Sequence, residues 1–98
     1  MEKDSTIKSV HIMVKGRVQA VGFRFYTWQT AQKLDLSGWV RNREDGSVEI
    51  AAEGPADRVD RFVGAIKKGS PFSHVDHLDM HVYDHAKRYT SFEILDSV

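Results

Sequence analysis

Between Ile7 and Ile94 the spacing of apolar residues switches twice from a period of two to about 3.6 and back. A chain patterned this way must fold its strands and helices against one another in layers. In the first stretch Val10, Ile12 and Val14 share one face, and Ser9, His11 and Met13 share the other, as in a half-buried strand. From about Phe23 to Asp35 glycine and proline are absent. Phe23, Tyr26, Thr27, Ala31 and Leu34 recur there at helical spacing, with Phe25 and Trp28 off the stripe. "SGWVRN" then predicts a turn and a short strand, and Asp45-Gly46 predicts a hairpin. Its second arm alternates Val48, Ile50 and Ala52 with Ser47, Glu49 and Ala51.

The clearest helix is "EGPADRVDRFVGAIKKG". Pro55 suits its first position, Asp57 its first turn, and Val59, Phe62, Val63 and Ile66 form its apolar stripe. Lys67 and Lys68 complement the C-terminal dipole, and Gly69 suits a left-handed cap. Leu78, Met80 and Val82 alternate with His77, Asp79 and His81 as a further strand, and Phe92 and Ile94 mark a short last one. The order is strand, helix, strand, strand, helix, strand, with the short strand after it. Two such split βαβ units predict an α+β, ferredoxin-like two-layer sandwich (βαββαβ), with an antiparallel sheet and two helices on one face. The 98 residues suffice for one domain. Residues 7–98 are expected to form it, with residues 1–6 as a disordered polar tail.

Charge and cysteine usage narrow the function classes. Lysine plus arginine balance aspartate plus glutamate, 14 against 14, so no net field draws polyanions. Neither nucleic acid nor membrane is an expected partner. The absence of cysteine excludes disulfides, thiolate zinc sites and thiol nucleophiles. "MEKDSTIKS" has no apolar signal core, and no apolar run approaches the ~20 residues that span a bilayer. A cytoplasmic monomer is expected.

The segment "VKGRVQAVGFR" lies where the first strand hands over to the first helix. Helix-starting N–H groups lack intrahelical partners, and the helix dipole adds positive potential there. Glycines let such N–H groups converge on an anion, and Arg24 adds a planar fork of donors. A phosphate or a carboxylate suits the place. On a second reading Gly16 and Gly22 only turn the chain, and Arg24 is a solvated helix residue. The loop is not a Walker A sequence, because no Lys-Ser/Thr follows Gly22.

Read together, "GRVQAVGFR" and "GWVRN…DGSVEI" resemble the acylphosphatase family. The resemblance runs from the first strand through the second helix and includes Gly54-Pro55 and "YTSFEI". It implies hydrolysis of a small-molecule acyl phosphate to a carboxylate and inorganic phosphate. The implied mechanism has no cofactor, no metal and no covalent intermediate. It implies that Arg24 and Asn42 are catalytic. It also implies that Arg17, Val18, Gln19, Ala20, Val21, Gly22 and Phe23 bind the phosphoryl group. The family usually has glycine where this chain has Ala20. If that position needs positive φ, alanine costs about 1–2 kcal/mol. If it does not, alanine stiffens the loop. Strand parity puts Asn42 on the same face as Val40. Two rival readings use the same loop. One is a non-catalytic phosphate- or carboxylate-binding sensor or interaction domain. The other is a standalone relative of the carbamoyl-phosphate-processing domain of larger maturation proteins.

Other residues suit structural roles. His77, His81 and His85 are spaced by four, but on a strand His77 and His81 lie ~13 Å apart, too far to share a metal. Trp28 and Trp39 read as packing residues. Arg41 and Arg43 flank Asn42 and either add positive potential at the mouth of the site or form a solvated hairpin edge.

Overall fold

The structure is a computed structural model and describes residues 6–19 and 22–98. Its elements are β1 (Ile7–Arg17), α1 (Phe23–Lys33), β2 (Ser37–Asn42), β3 (Val48–Pro55), α2 (Ala56–Lys68), β4 (His74–Val82) and β5 (Phe92–Ile94). The strands form one sheet in the order β4-β1-β3-β2-β5. β1 pairs antiparallel with β3 and β4, and β2 pairs antiparallel with β3. β5 joins β2 in parallel, so the expected antiparallel sheet gains one parallel edge strand. The architecture is the α+β sandwich that the periodicity demands.

The core forms where the inward faces meet. Val10, Ile12 and Val14 of β1, Val40 of β2, and Val48, Ile50 and Ala52 of β3 are buried with Phe23 and Ala31 of α1 and Val59, Phe62 and Ile66 of α2. Each large apolar side chain removed from water contributes about 1.5–3 kcal/mol, so this layer holds the helices to the sheet. β4 lies at an edge, and its Met80 and Val82 stay exposed despite their alternation.

Four details depart from the sequence expectations. α1 ends at Lys33, not Asp35, because Asp35 takes φ 56 and closes a Schellman turn. Its N–H bonds to the Gln32 carbonyl, and that of Leu36 to Ala31. Pro55 occupies the cap position before α2 and not its first turn. Gly69 has positive φ but an extended ψ of 173°, so it leads the chain away from the helix and not into a left-handed turn. Gly16 does not frame a loop. It lies inside β1, where the register against β4 shifts between Lys15 and Gly16. A Cβ there would collide with the His74 carbonyl, and φ is +133°.

The sheet face turned away from the helices carries a charge network. Arg41 Nε and Arg43 Nη1 each donate to Glu49 Oε1 at 2.9 Å, and His11 Nε2 lies 2.6 Å from Oε2. Both arginines are thereby held on Glu49. Burial pushes the Glu49 carboxyl up, but hydrogen bonds from His11, Arg41 and Arg43 outweigh it and hold the pKa at about 2, against an ordinary 4.5. A depressed folded-state pKa stabilises the fold above pH 4.5 and loses that stabilisation as pH falls toward 2. Glu49→Gln is therefore expected to be less stable than wild type at pH 7, by on the order of 2 kcal/mol. The gap should close between pH 5 and pH 2 in urea unfolding curves. A gap independent of pH would show that the carboxylate's charge is not what stabilises the fold.

Candidate active site

The described cleft of interest forms where β1, α1, β2 and β5 meet. Past Arg17 the chain buries Val18, and the Gln19 side chain turns back to the β2–β3 hairpin. Gln19 Nε2 donates to the carbonyls of Arg43 and Ser47, both at 2.8 Å. The amide thus pins the start of the loop to the hairpin that follows Asn42. Ala20 and Val21 were expected to contribute to the loop, and they lie outside the described residues.

Gly22 precedes α1 with φ 77° and ψ 15°, a left-handed conformation that glycine enters at little cost. Its carbonyl accepts the first helical hydrogen bond, from Tyr26 N–H at 3.0 Å. No side chain caps α1, and its first turn holds no acidic residue. α2, by contrast, has Asp57 in its first turn. The N–H groups that open α1 therefore carry the positive end of the dipole at the cleft, and no acidic residue of that turn answers it.

The cleft is about 230 Å³ and is lined by Val18, Gly22, Phe23, Arg24, Phe25, Asn42 and Ile94. Arg24 is the one charged side chain in that lining among the described residues. Its Nη1 donates to the Leu95 carbonyl at 3.3 Å, and Leu95 N–H bonds in turn to the Val40 carbonyl. The residue after β5 thus helps to aim the guanidinium. Asn42 ends β2 on the same face as the buried Val40. Its main-chain carbonyl accepts from Val98 N–H at 3.0 Å, which fixes the strand end. Its side-chain Oδ1 is buried and has no hydrogen-bond partner among the described residues. An unanswered buried acceptor costs about 1–3 kcal/mol, so it marks a place where a ligand or water belongs.

The structure brings Val18, Gly22, Phe23, Arg24 and Asn42 to one cleft. Gln19 supports that cleft from behind. Arg17 lies elsewhere: it pairs with His74 across β1 and β4 and borders a separate depression with Phe72, Ser73 and Asp76. Arg41 and Arg43, held by Glu49, are not in the cleft lining. Sequence reasoning missed Phe25, Ile94 and Leu95. Phe25 left one trace, as an aromatic residue off the apolar stripe in a helix's first turn. Ile94 and Leu95 left none, because β5 reaches the cleft only by pairing with β2. Among the described residues no group of three or more histidine, aspartate or glutamate side chains is placed to hold a metal ion.

The α+β sandwich brings an uncapped helix start, Arg24 and the buried Asn42 carboxamide to one cleft, a place suited to an anion. Comparison with known proteins makes this specific. Residues 10–94 match the family model described as acylphosphatase. The chain is 44% identical over 84 residues to the acylphosphatase of Bacillus velezensis, covering 86% of this chain and 93% of that one. It matches the crystal structure of acylphosphatase from Bacillus subtilis with a TM-score of 0.87 at 43% identity, covering 92% of this chain and 99% of that one. It also matches part of full-length HypF in its phosphate- and nucleotide-bound form, with a TM-score of 0.86 at 31% identity. That match covers 94% of this chain but 12% of HypF. The chain belongs to the acylphosphatase family, hydrolases that act on acid anhydrides.

Proposed function

We propose that the cleft binds the phosphoryl group of a small acyl phosphate and directs a water molecule at its phosphorus. The acyl phosphate dianion and water become a carboxylate and dihydrogen phosphate. The phosphorus–oxygen bond to the acyl group breaks, and its electron pair stays on the departing carboxylate. Water forms the new bond to phosphorus, and its proton passes to a phosphate oxygen. A carboxylate leaving group is stable without protonation near neutral pH, so the site needs no general acid.

Positioning and electrostatics then carry the reaction. Arg24 and the opening N–H groups of α1 hold the phosphoryl oxygens. Only the part of that hold that tightens in the transition state raises the rate. Asn42 is too weakly basic to remove a proton. Its Oδ1 accepts a hydrogen bond from the water and keeps it in line with the scissile bond. The carrying observation is that buried, unanswered Oδ1, in the same cleft as Arg24 and the uncapped helix start.

Acetyl phosphate hydrolysis in water labelled with heavy oxygen tests this reading. The label is expected in inorganic phosphate and not in acetate, with turnover unchanged by a chelator. Label in acetate would show attack at the carbonyl carbon and overturn the role given to Asn42. Loss of turnover with the chelator would overturn the metal-free route. The same reading takes the protein as a cytoplasmic monomer. No helix among the described residues is long and apolar enough to cross a membrane.

A further inference from the structure

Asn42 is gripped from the sheet face opposite its carboxamide. Oδ1 has no hydrogen-bond partner among the described residues, so the main chain on either side of Asn42 is what aims it. That main chain is the last step of β2 before a hairpin, and strand ends open more readily than strand centres. Arg41 and Arg43 flank Asn42, and alternation turns their side chains to the other face. Both donate to a single oxygen, Glu49 Oε1, at 2.9 Å. Glu49 stands directly opposite Arg41 in the register of β2 and β3, and His11 of β1 meets its second oxygen at 2.6 Å. The Arg41 guanidinium also lies 5.0 Å from the centre of the Trp39 ring.

Glu49 is only 9% exposed. A buried carboxylate is costly to desolvate, and an ion cluster of this kind is often no more stabilising than apolar residues of the same volume. The best-attested use of such a cluster is to fix a geometry. Here the geometry is that of the strand end. With both neighbours of Asn42 tied to one oxygen of the next strand, the main chain at Asn42 cannot tilt or slide without breaking a charge-assisted hydrogen bond. Gln19 fixes the step that follows, through the carbonyls of Arg43 and Ser47.

We propose that Glu49 is a positioning residue for the reaction: by clasping Arg41 and Arg43 on the back of the sheet, it sets the aim of the Asn42 carboxamide at the attacking water. The inference rests on the water-positioning reading given above. Glu49 itself lies outside the cleft lining and acts only through its two arginines and the strand between them. Misplacing a group that must stand in line with a scissile bond costs up to about a hundredfold in rate. On that reading Asn42 acts on the water and Arg24 on the phosphoryl group, so loosening the clasp lowers kcat and leaves KM in place.

The test measures acetyl phosphate turnover well below each variant's melting point. Glu49→Gln should lower kcat about tenfold or more, with KM within about twofold of wild type. Arg43→Gln releases half of the clasp from an exposed position, so it should fold even where Glu49→Gln does not, and should show a smaller loss of the same kind. Ile66→Ala, a core change in α2 outside the cleft, lowers stability as well and should keep its kcat. In an Asn42→Ala background, Glu49→Gln should cost less than about twofold, because the group it aims is gone. An unchanged kcat in folded Glu49→Gln, an equal loss in Ile66→Ala, or the same loss with and without Asn42 would overturn the clasp and leave the phosphoryl chemistry standing. A loss through KM alone would also overturn it, since the arginines would then act by their charge. Normal kcat in Asn42→Ala would overturn the water-positioning reading, and the clasp with it.

Discussion

Arg24→Ala is expected to lower kcat/KM for acetyl phosphate by about 10³-fold or more, with KM raised and kcat reduced together. The guanidinium is the one charged side chain in the cleft lining among the described residues, so none of them replaces it there. On the proposed reading it meets the phosphoryl oxygens in the ground state, which sets KM. It also meets the charge that spreads over them in the transition state, which sets kcat. Arg24→Lys keeps the charge but loses the planar fork and its reach to Leu95, so it should recover only a small part of the rate. Stability should change little. Arg24 makes one long hydrogen bond, 3.3 Å, to an exposed segment, and its removal opens no core cavity. A folded Arg24→Ala protein that keeps more than a tenth of wild-type kcat/KM would show that the helix N–H groups suffice, and Arg24 would lose its catalytic role.

Asn42→Ala should act differently. On the proposed reading the carboxamide touches the water and not the phosphoryl group, so kcat should fall by about 10²–10⁴-fold while KM stays close to wild type. The fold should not suffer, because Oδ1 has no partner among the described residues to orphan when it is removed. Asn42→Asp separates positioning from charge. It keeps an acceptor in place but sets a negative charge beside a dianion, a repulsion of about 8 kcal/mol at ~4 Å and an effective dielectric near 20. The Asp variant should therefore raise KM as well as lower kcat. Asn42→Ala with normal kcat would remove the water-positioning role. An Asp variant faster than wild type would point to general-base catalysis instead.

Part of this site is legible along the chain because it depends on local rules. Helix starts expose N–H groups wherever they occur, so the region around Gly22 and Arg24 reads as an anion site before any tertiary contact is known. Strand alternation places Asn42 with Val40, and the burial of Val40 then turns Asn42 inward. Other residues mislead for equally physical reasons. Gly16 looks like a loop glycine, yet its role is to let β4 approach β1 at a bulge. Arg17 sits beside the loop in sequence but pairs toward His74. Arg41 and Arg43 read either as a basic rim or as a solvated hairpin edge, and only the pairing shows that Glu49 on the neighbouring strand holds both.

The order of periodicities determined the layers, the strand faces and the place where a helix would open onto an anion, because each follows from contacts within a few residues. Only the tertiary structure decided which distant groups complete that place. Leu95 aims Arg24, Gln19 anchors its loop to the hairpin, and Ile94 arrives with a strand paired in parallel to β2. Leu95 lies 71 residues from Arg24, Gln19 lies 24 and 28 residues from Arg43 and Ser47, and Ile94 reaches the cleft only through sheet pairing. Spacing along a chain carries no record of a contact that a sheet register makes.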